Sequence, residues 1–302
     1  MKRSVFENSS LNQKEIHEYI ENYVMCVDDG SGTTYNITDE EYTINDDMSV
    51  SFGADNINIH TNNKPIPFVI AEANIINFEK DFIFNNTNNL PKKCKTLNFI
   101  DCLLEHKNVV IDSNVSSAID IDYIYRNVIF ESLTCKSNSN LQRIDIRRTI
   151  IKTLSIDIPS VYAIYLTKCD IDIFNHIHFD NIENLYCYEC PITSLYDMHN
   201  LNGKINDDLR IDVDDIVSFR GIENCKIPNI YLHQCNTLNN IILCLLNNTS
   251  KITLMPYDFG ASFTKGMDII DKYLKNISKR KDYLMDCAVE LIDNGFEEAA
   301  EL

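Results

Sequence analysis

The sequence predicts an α/β repeat solenoid, a curved coil whose turns each add one strand to a parallel β-sheet on the concave face. Apolar residues recur at intervals of 20 to 25 residues along most of the chain. Within each recurrence two apolar residues are separated by one more polar residue, which is the alternation of a strand with one buried face. Amphipathic helical patterns stand before and after this region, so each end of the coil should carry a cap.

Residues 1–72 are predicted to form the N-terminal cap. Residues 9–26 carry apolar side chains at spacings of three and four, with Ser10 and Gln13 as the expected capping box of a helix. Between Tyr42 and Ile59 apolar and polar residues alternate, which indicates one or two β-hairpins. A hairpin here would cover the exposed edge of the first repeat strand.

Residues 73–256 carry the repeat itself. We expect one strand per turn, because each interval contains one strongly alternating segment. The residue two positions after each centre is apolar in every turn, so both members of each pair should point into the core. The centres of the predicted strands are Ile76, Leu97, Ile119, Ile144, Ile164, Leu185, Leu209, Ile230 and Ile252.

Residues 257–302 are predicted to form a C-terminal helical cap. Two amphipathic segments follow Met255-Pro256, the second of them ending before Gly295. Such helices would cover the apolar face of the last repeat. The expected apolar faces are Met267, Ile270, Tyr273, Leu274 and Ile277 in the first, and Leu284, Met285, Ala288, Leu291 and Ile292 in the second.

The repeat is strongest at residues 94–104, 141–151, 161–171, 182–195 and 227–238. They fit the pattern L-x-x-L-x-L-x-x-N/C-x-L with Ile, Val and Cys standing in for Leu, so the chain resembles leucine-rich-repeat proteins. Over residues 35–302 it is similar to the irregular leucine-rich-repeat proteins of tailed bacteriophages. The similar segments are Tyr42 to Val50, the step Ile66-Pro67-Phe68 and the closing segment 282–302. This resemblance implies a phage-encoded binding scaffold.

Composition limits the classes of function. A formal net charge of -18 opposes direct binding to nucleic acid or to an anionic membrane. No run of 18 apolar residues occurs, and the first residues lack the apolar core of a signal peptide. The cysteines number eleven, are spread over the whole chain and cannot all be paired, which favours free thiols in a reducing compartment. We therefore expect the host cytoplasm as the location.

The outward positions of the predicted sheet suggest a contact surface for a protein partner. Tyr165, Tyr186 and Tyr231 should line up across neighbouring strands, with only Arg210 between them. Tyr and Arg dominate protein interfaces because each offers a large contact area and a polar tip. The alternative is that a sheet favours Tyr by propensity and that Arg pairs with Asp on neighbouring strands. The predicted partner-binding residues are Arg143, Arg147, Tyr165, Tyr186, Tyr188, Arg210, Tyr231 and His233.

Three groups of residues have spacings that could serve chemistry. Cys187 and Cys190 resemble half of a zinc site, but Cys190 falls on the Asn/Cys position of the repeat, as do Cys102, Cys169 and Cys235, so a buried structural role is expected. His176 and His178 have the spacing of two metal ligands without a third. An acidic cluster is more simply a solvated surface, and no metal or cofactor is expected; its members are Asp207, Asp208, Asp212, Asp214 and Asp215.

The favoured hypothesis is a non-enzymatic scaffold that captures or inhibits a host protein, for instance a defence protein, through the concave face of its sheet. One alternative is a parallel β-helix enzyme acting on polysaccharide, with Asp145, Asp208 and Asp212 as candidate catalytic carboxylates. Another is an acidic nucleic-acid mimic that inhibits a DNA-handling enzyme. The phosphate-binding, serine-hydrolase and zinc-protease motifs are missing from the sequence.

Overall fold

The computed structural model describes residues 12–28, 31–62, 66–84, 90–213, 216–235, 237–247, 250–256, 261–274 and 279–301. The chain divides into two compact units. The first comprises Met1–Thr149 and Ser155–Pro159, and the second comprises Ile150–Leu154 and Ser160–Leu302. Each unit contains a sheet of stacked parallel strands, so the predicted solenoid is confirmed for both. The predicted domain boundaries at residues 72 and 256 remain predictions.

The first unit opens with helix α1, Gln13–Tyr23. Asn12 rather than Ser10 is its N-cap: the Asn12 side chain accepts from the backbone N–H of Glu15, and the Glu15 carboxylate accepts from that of Asn12, both at 3.0 Å. Ser10 lies outside the described residues. Ile16 and Ile20 are fully buried, as the spacing predicts.

The sheet of the first unit has the order β2-β1-β5-β6-β8-β11-β14. Strands β3 and β4 form the predicted antiparallel hairpin. Strands β4 and β5 each pair in parallel with β6, so β5 is not part of a second hairpin with β4. The strands of this unit are β1 (Val24–Val27), β2 (Thr34–Asn36), β3 (Tyr42–Ile44), β4 (Val50–Phe52), β5 (Asn56–Ile59), β6 (Ile70–Phe78), β7 (Ile83–Phe84), β8 (Lys93–Ile100), β9 (Leu103–Leu104), β10 (Asn108–Asp112), β11 (Asn114–Asp122), β12 (Val128–Phe130), β13 (Ser132–Lys136) and β14 (Leu141–Arg147).

The turns of the first unit contain more strands than we predicted. Between β8 and β11 the chain forms β9 and β10, and between β11 and β14 it forms β12 and β13. Strands β10 and β13 pair in parallel, from Asn108 beside Ser132 to Asp112 beside Lys136. The expectation of one strand per turn is therefore wrong here. Two further strands lie where the units divide, β15 (Thr149–Ile151) and β16 (Leu154–Asp157).

The sheet of the second unit is parallel throughout, in the order β17-β19-β20-β21-β22. Two helices follow β22, as the sequence predicts. Short 3-10 helices span Met198–Leu201, Ile222–Asn224 and Glu297–Ala300. The strands and α-helices are β17 (Val161–Thr167), β18 (Ile177–His178), β19 (Ile182–Tyr188), β20 (Ile205–Asp212), β21 (Asn229–Cys235), α2 (Ile241–Asn247), β22 (Lys251–Pro256), α3 (Ala261–Leu274) and α4 (Arg280–Asp293).

The predicted pairs of apolar residues form the core in both units, except the last pair, Ile252 and Leu254, which is only half-buried. From Ile76 and Phe78 to Ile230 and Leu232, each strand centre and the residue two positions later are buried. The helical segments follow the predicted faces less closely. In α4, Leu284 and Leu291 are buried with Cys287, whereas Met285 and Ile292, which we assigned to the same face, are exposed.

Five long strands have a corner residue with a left-handed backbone directly after their last residue or, in β21, one position before it. These corner residues are not glycines, although a side chain is disfavoured at positive φ. The next residue in each case is buried and is Cys or Thr, at the Asn/Cys position of the repeat. The corner residues are Asp101, Arg148, Lys168, Glu189 and Gln234, followed by Cys102, Thr149, Cys169, Cys190 and Cys235.

Candidate functional site

The outward face of the second sheet brings four of the predicted contact residues into one row. Tyr165 is paired with Tyr186, Tyr186 with Arg210, and Arg210 with Tyr231, each on the next strand. The register predicted from the sequence is therefore confirmed within this unit. We call Tyr165, Tyr186, Tyr188, Arg210, Tyr231 and His233 the aromatic row.

Three tyrosine rings of the aromatic row, those of Tyr165, Tyr186 and Tyr188, stack on one another. The ring centroids of Tyr165 and Tyr186 are 4.8 Å apart with an angle of 27° between the planes. Those of Tyr186 and Tyr188 are 6.3 Å apart and nearly parallel, and Tyr188 meets His233 edge to face at 6.2 Å. These contacts hold the rings of Tyr165, Tyr186 and Tyr188 against one another.

Arg210 lies between two of these rings. Its guanidinium carbon is 4.5 Å from the ring centroid of Tyr231 and 5.3 Å from that of Tyr186. The Arg210 Nη2 donates to Asp208 Oδ2 at 2.8 Å, and this hydrogen bond raises the pKa of the guanidinium. The contacts fix the planar group at the centre of the row.

Two phenols of the row, those of Tyr186 and Tyr188, stay protonated well above neutral pH. Burial raises the pKa of Tyr186 to about 12, and burial also raises that of Tyr188. A protonated phenol can both donate and accept a hydrogen bond. The row can therefore offer neutral hydrogen-bonding tips to a partner.

In the first unit, the predicted contact residues Arg143 and Arg147 are each bound to an aspartate. Arg143 donates from Nε and Nη2 to Asp120, at 3.1 and 2.6 Å, across neighbouring strands. Arg147 donates in the same two-point manner to Asp145, two residues earlier, at 2.9 and 2.5 Å. Both guanidinium groups are partly exposed and already have carboxylate partners. The Arg143–Asp120 pair is the cross-strand pairing considered as an alternative, whereas Arg147 binds an aspartate of its own strand.

The carboxylates proposed as catalytic in a β-helix enzyme also have structural partners. Asp145 and Asp208 bind arginines, and Asp212 accepts the backbone N–H of Glu189 at 2.7 Å. All three residues are buried. A general acid or base must reach a substrate proton, so these contacts support a role in holding the sheet face together.

The cysteines behave as buried structural groups. The Cys190 thiol donates to the carbonyl of Leu166 at 3.5 Å, and the Cys102 thiol to that of Phe78 at 3.3 Å. Burial raises the pKa of Cys190 to about 12 and that of Cys187 well above its usual range, so neither thiol is a ready nucleophile. The repeat therefore explains Cys187 and Cys190 without a metal.

Those of the remaining chemical candidates that the structure describes do not assemble into a site. His176 and His178 are exposed beside and within β18, and Asp207 accepts from Asn229 at 2.9 Å. Within the described ranges no group of three or more His, Cys, Asp or Glu side chains is placed to hold a metal. Asp214 and Asp215 lie outside the described residues.

Sequence reasoning missed two contributors to the candidate site. Asp208 anchors Arg210, and the corner residue Glu189 is bound by Asp212 through its backbone. The spacing of Asp208 and Arg210, two residues apart on one strand face, was a visible signal for the first. The contact between the Glu189 backbone and Asp212 joins residues 23 positions apart in the sequence, and no pattern of side chains reveals it.

Comparison with protein-family models, with curated proteins and with solved structures gives no match for this chain. The fold defines the class, a parallel β-solenoid in each unit, and the aromatic row defines the candidate site. None of the helices in the described ranges has the length and apolar character needed to cross a membrane.

Proposed function

We propose that this protein is a non-enzymatic binding scaffold whose aromatic row docks a protein partner. The observation that carries the proposal is the unbroken row of Tyr165, Tyr186, Arg210 and Tyr231. Tyr and Arg are the residues most enriched at the energetic centres of interfaces. Because stacking already holds these side chains in place, a partner would lose little conformational entropy by immobilising them.

The local charge supports a protein partner over nucleic-acid mimicry. On the outward face of the second sheet, Arg210 and Lys251 stand with Asp208 and Asp212, two charges of each sign. The whole chain carries -18. A mimic of nucleic acid would need rows of unpaired carboxylates, whereas this face is locally neutral.

The bacteriophage resemblance guides the choice of partner. We propose a phage-encoded leucine-rich-repeat-like protein that acts in the host cytoplasm and occupies a bacterial host protein, for instance a defence protein. The parallel β-helix enzyme remains the second candidate, since turns with three strands occur in the first unit. Its candidate carboxylates are engaged by arginine or backbone groups, which favours the scaffold.

The test compares host proteins captured by wild-type chain, by Tyr186→Ala/Tyr231→Ala and by a matched control. Removing two central rings should weaken capture of a specific host protein at least tenfold, a loss of about 1.4 kcal/mol or more. The control is Tyr162→Ala/Tyr196→Ala, which removes two exposed tyrosines of the same unit that lie outside the row. Circular dichroism should show all three proteins folded.

Equal capture of every host protein by the row variant and the wild type would contradict the proposed surface. Capture that disappears in both double variants would point to a general loss of tyrosine contacts instead. Release of turnover products from a polysaccharide by the wild-type chain would favour the enzyme.

A further inference from the structure

Helix α4 carries an exposed strip of apolar side chains beside its buried face. Leu284, Cys287 and Leu291 are buried against the rest of the second unit. Met285, Val289 and Ile292 are 65%, 52% and 48% exposed. A single helix of a soluble protein needs only one apolar face to pack, so the exposed strip is unexplained by the fold of the described residues.

The exposed side chains have the spacing of a helix-pairing seam. Met285, Val289 and Ile292 are separated by four and three residues, which is the alternation of core positions in a coiled coil. At about 100° of rotation per residue the three lie within an arc of about 60°. We call them the α4 stripe.

Negative charge borders the α4 stripe on one side. Asp282, Asp286 and Asp293 are exposed and fall on the adjacent strip of the helix surface. Asp286 and Asp293 directly follow Met285 and Ile292. The aspartates thus occupy the positions beside the seam at which coiled coils place the charges that select a partner. Farther round, Glu290 is held by Lys272 of α3 at 2.6 Å, so that side of α4 is already occupied.

We propose that the α4 stripe docks a basic amphipathic helix of a partner protein. The apolar face of such a helix would cover Met285, Val289 and Ile292, and its lysines or arginines would face the three aspartates. A second copy of this chain fits less well, because it would bring a like acidic border and a further charge of -18. The surface is distinct from the aromatic row.

The absence of tryptophan from the chain allows a direct measurement. The probe is a synthetic helical peptide with Leu at the seam positions, Lys beside them and one Trp, whose fluorescence can be excited without interference from the protein. The expected result is saturable binding of this peptide by the full chain. A peptide of the same pattern with Glu in place of Lys should not bind.

The key variant is Met285→Gln/Val289→Gln, which keeps helix-favouring residues and leaves the net charge unchanged. It should weaken peptide binding at least tenfold. The matched control, Tyr162→Gln/Val217→Gln, removes two other exposed large side chains of the same unit and should bind as the wild type does. Asp286→Asn/Asp293→Asn should weaken binding and reduce its dependence on salt.

Equal binding of the basic peptide by wild type and Met285→Gln/Val289→Gln would overturn the proposal, since binding would then reflect net charge alone. A wild-type dimer in sedimentation that becomes monomeric in this variant would also overturn it, in favour of a second copy. Tyr186→Ala/Tyr231→Ala should still bind the peptide, which separates this test from that of the aromatic row.

Discussion

At the scale of the residue, one glycine is required by both its backbone and its surroundings. Gly221 has φ +109°, and a methyl group added there would overlap the backbone of Leu195 and Tyr196. Gly203 also has positive φ, at +73°, but has nothing within 4 Å of the position of an added Cβ. An alanine at either position would have to adopt a left-handed conformation, which costs free energy. Only at Gly221 would its methyl group also overlap other atoms.

We predict that Gly221→Ala lowers the free energy of unfolding by about 3 kcal/mol or more, because backbone strain and overlap add. Gly203→Ala should cost only about 1 kcal/mol, from strain alone. Urea denaturation followed by circular dichroism measures both. Similar losses for the two variants would show that the turn at Gly221 relaxes to accept the methyl group.

At the scale of the element, the second sheet depends on matching side chains across strands. The sequence alone predicted which residues share the row, because the two-residue alternation and the repeat interval fix the register. It did not predict how the rings would be turned. Stacking of Tyr165 on Tyr186, and the pairing of Arg210 with Asp208, depend on rotamers that several strands select together.

We predict that Arg210→Met destabilises the protein by about 1–3 kcal/mol, because it removes the contacts with two rings and leaves Asp208 without its arginine. The Asp208 side chain is only 12% exposed, so water cannot fully replace the lost partner. Asp208→Asn/Arg210→Met should recover part of the loss, since no unpaired carboxylate remains. Thermal unfolding of the three variants tests this; a double variant less stable than Arg210→Met would refute the coupling.

The stripe on α4 shows where pattern reading fails within an element. Met285, Val289 and Ile292 have the same three- and four-residue spacing as a buried face. We assigned Met285 and Ile292 to the core because periodicity alone cannot tell which part of an apolar surface packs inward. Only the contacts of Leu284, Cys287 and Leu291 decide between them.

At the scale of the whole molecule, the repeat interval predicted the strands of the parallel sheets. It did not predict the further strands that lie between them in the first unit, such as β10 and β13. A signal for the second set of strands was present: Val109 and Ile111 of β10 pair with Leu133 and Cys135 of β13, one repeat interval later. These strands are only five residues long, too short to be distinguished by alternation from a connecting segment.

The buried thiols and phenols should make the folded state sensitive to alkali. Burial raises the pKa of Cys135, Cys190 and Cys225 from 9.0 to about 12, and that of Tyr186 from 10.0 to about 12. The unfolded chain therefore loses these protons at lower pH than the folded chain. The stability they contribute is complete below pH 9 and is lost as pH rises from about 9 towards 12.

We predict that the free energy of unfolding stays level with respect to these groups between pH 7 and pH 8.5 and falls progressively above about pH 9. Urea denaturation across this range measures the slope. Cys190→Ala should show a shallower fall, because one titrating thiol has been removed. An unchanged free energy from pH 7 to about pH 10.5 would show that the thiols are not protected from ionisation.

In five turns of the chain, a left-handed corner residue lies between two parts with different roles. These residues are Asp101, Arg148, Lys168, Glu189 and Gln234. The strand before the corner must keep step with its neighbour, and the buried Cys or Thr after it anchors the change of direction. Beyond Cys102 the return path contains β9 and β10, whereas beyond Cys190 it contains only the 3-10 helix Met198–Leu201 before β20. Foreign peptide sequences inserted at the exposed turn of Gly203, just before β20, should therefore be displayed without shifting the strands, which makes this turn a position for engineering.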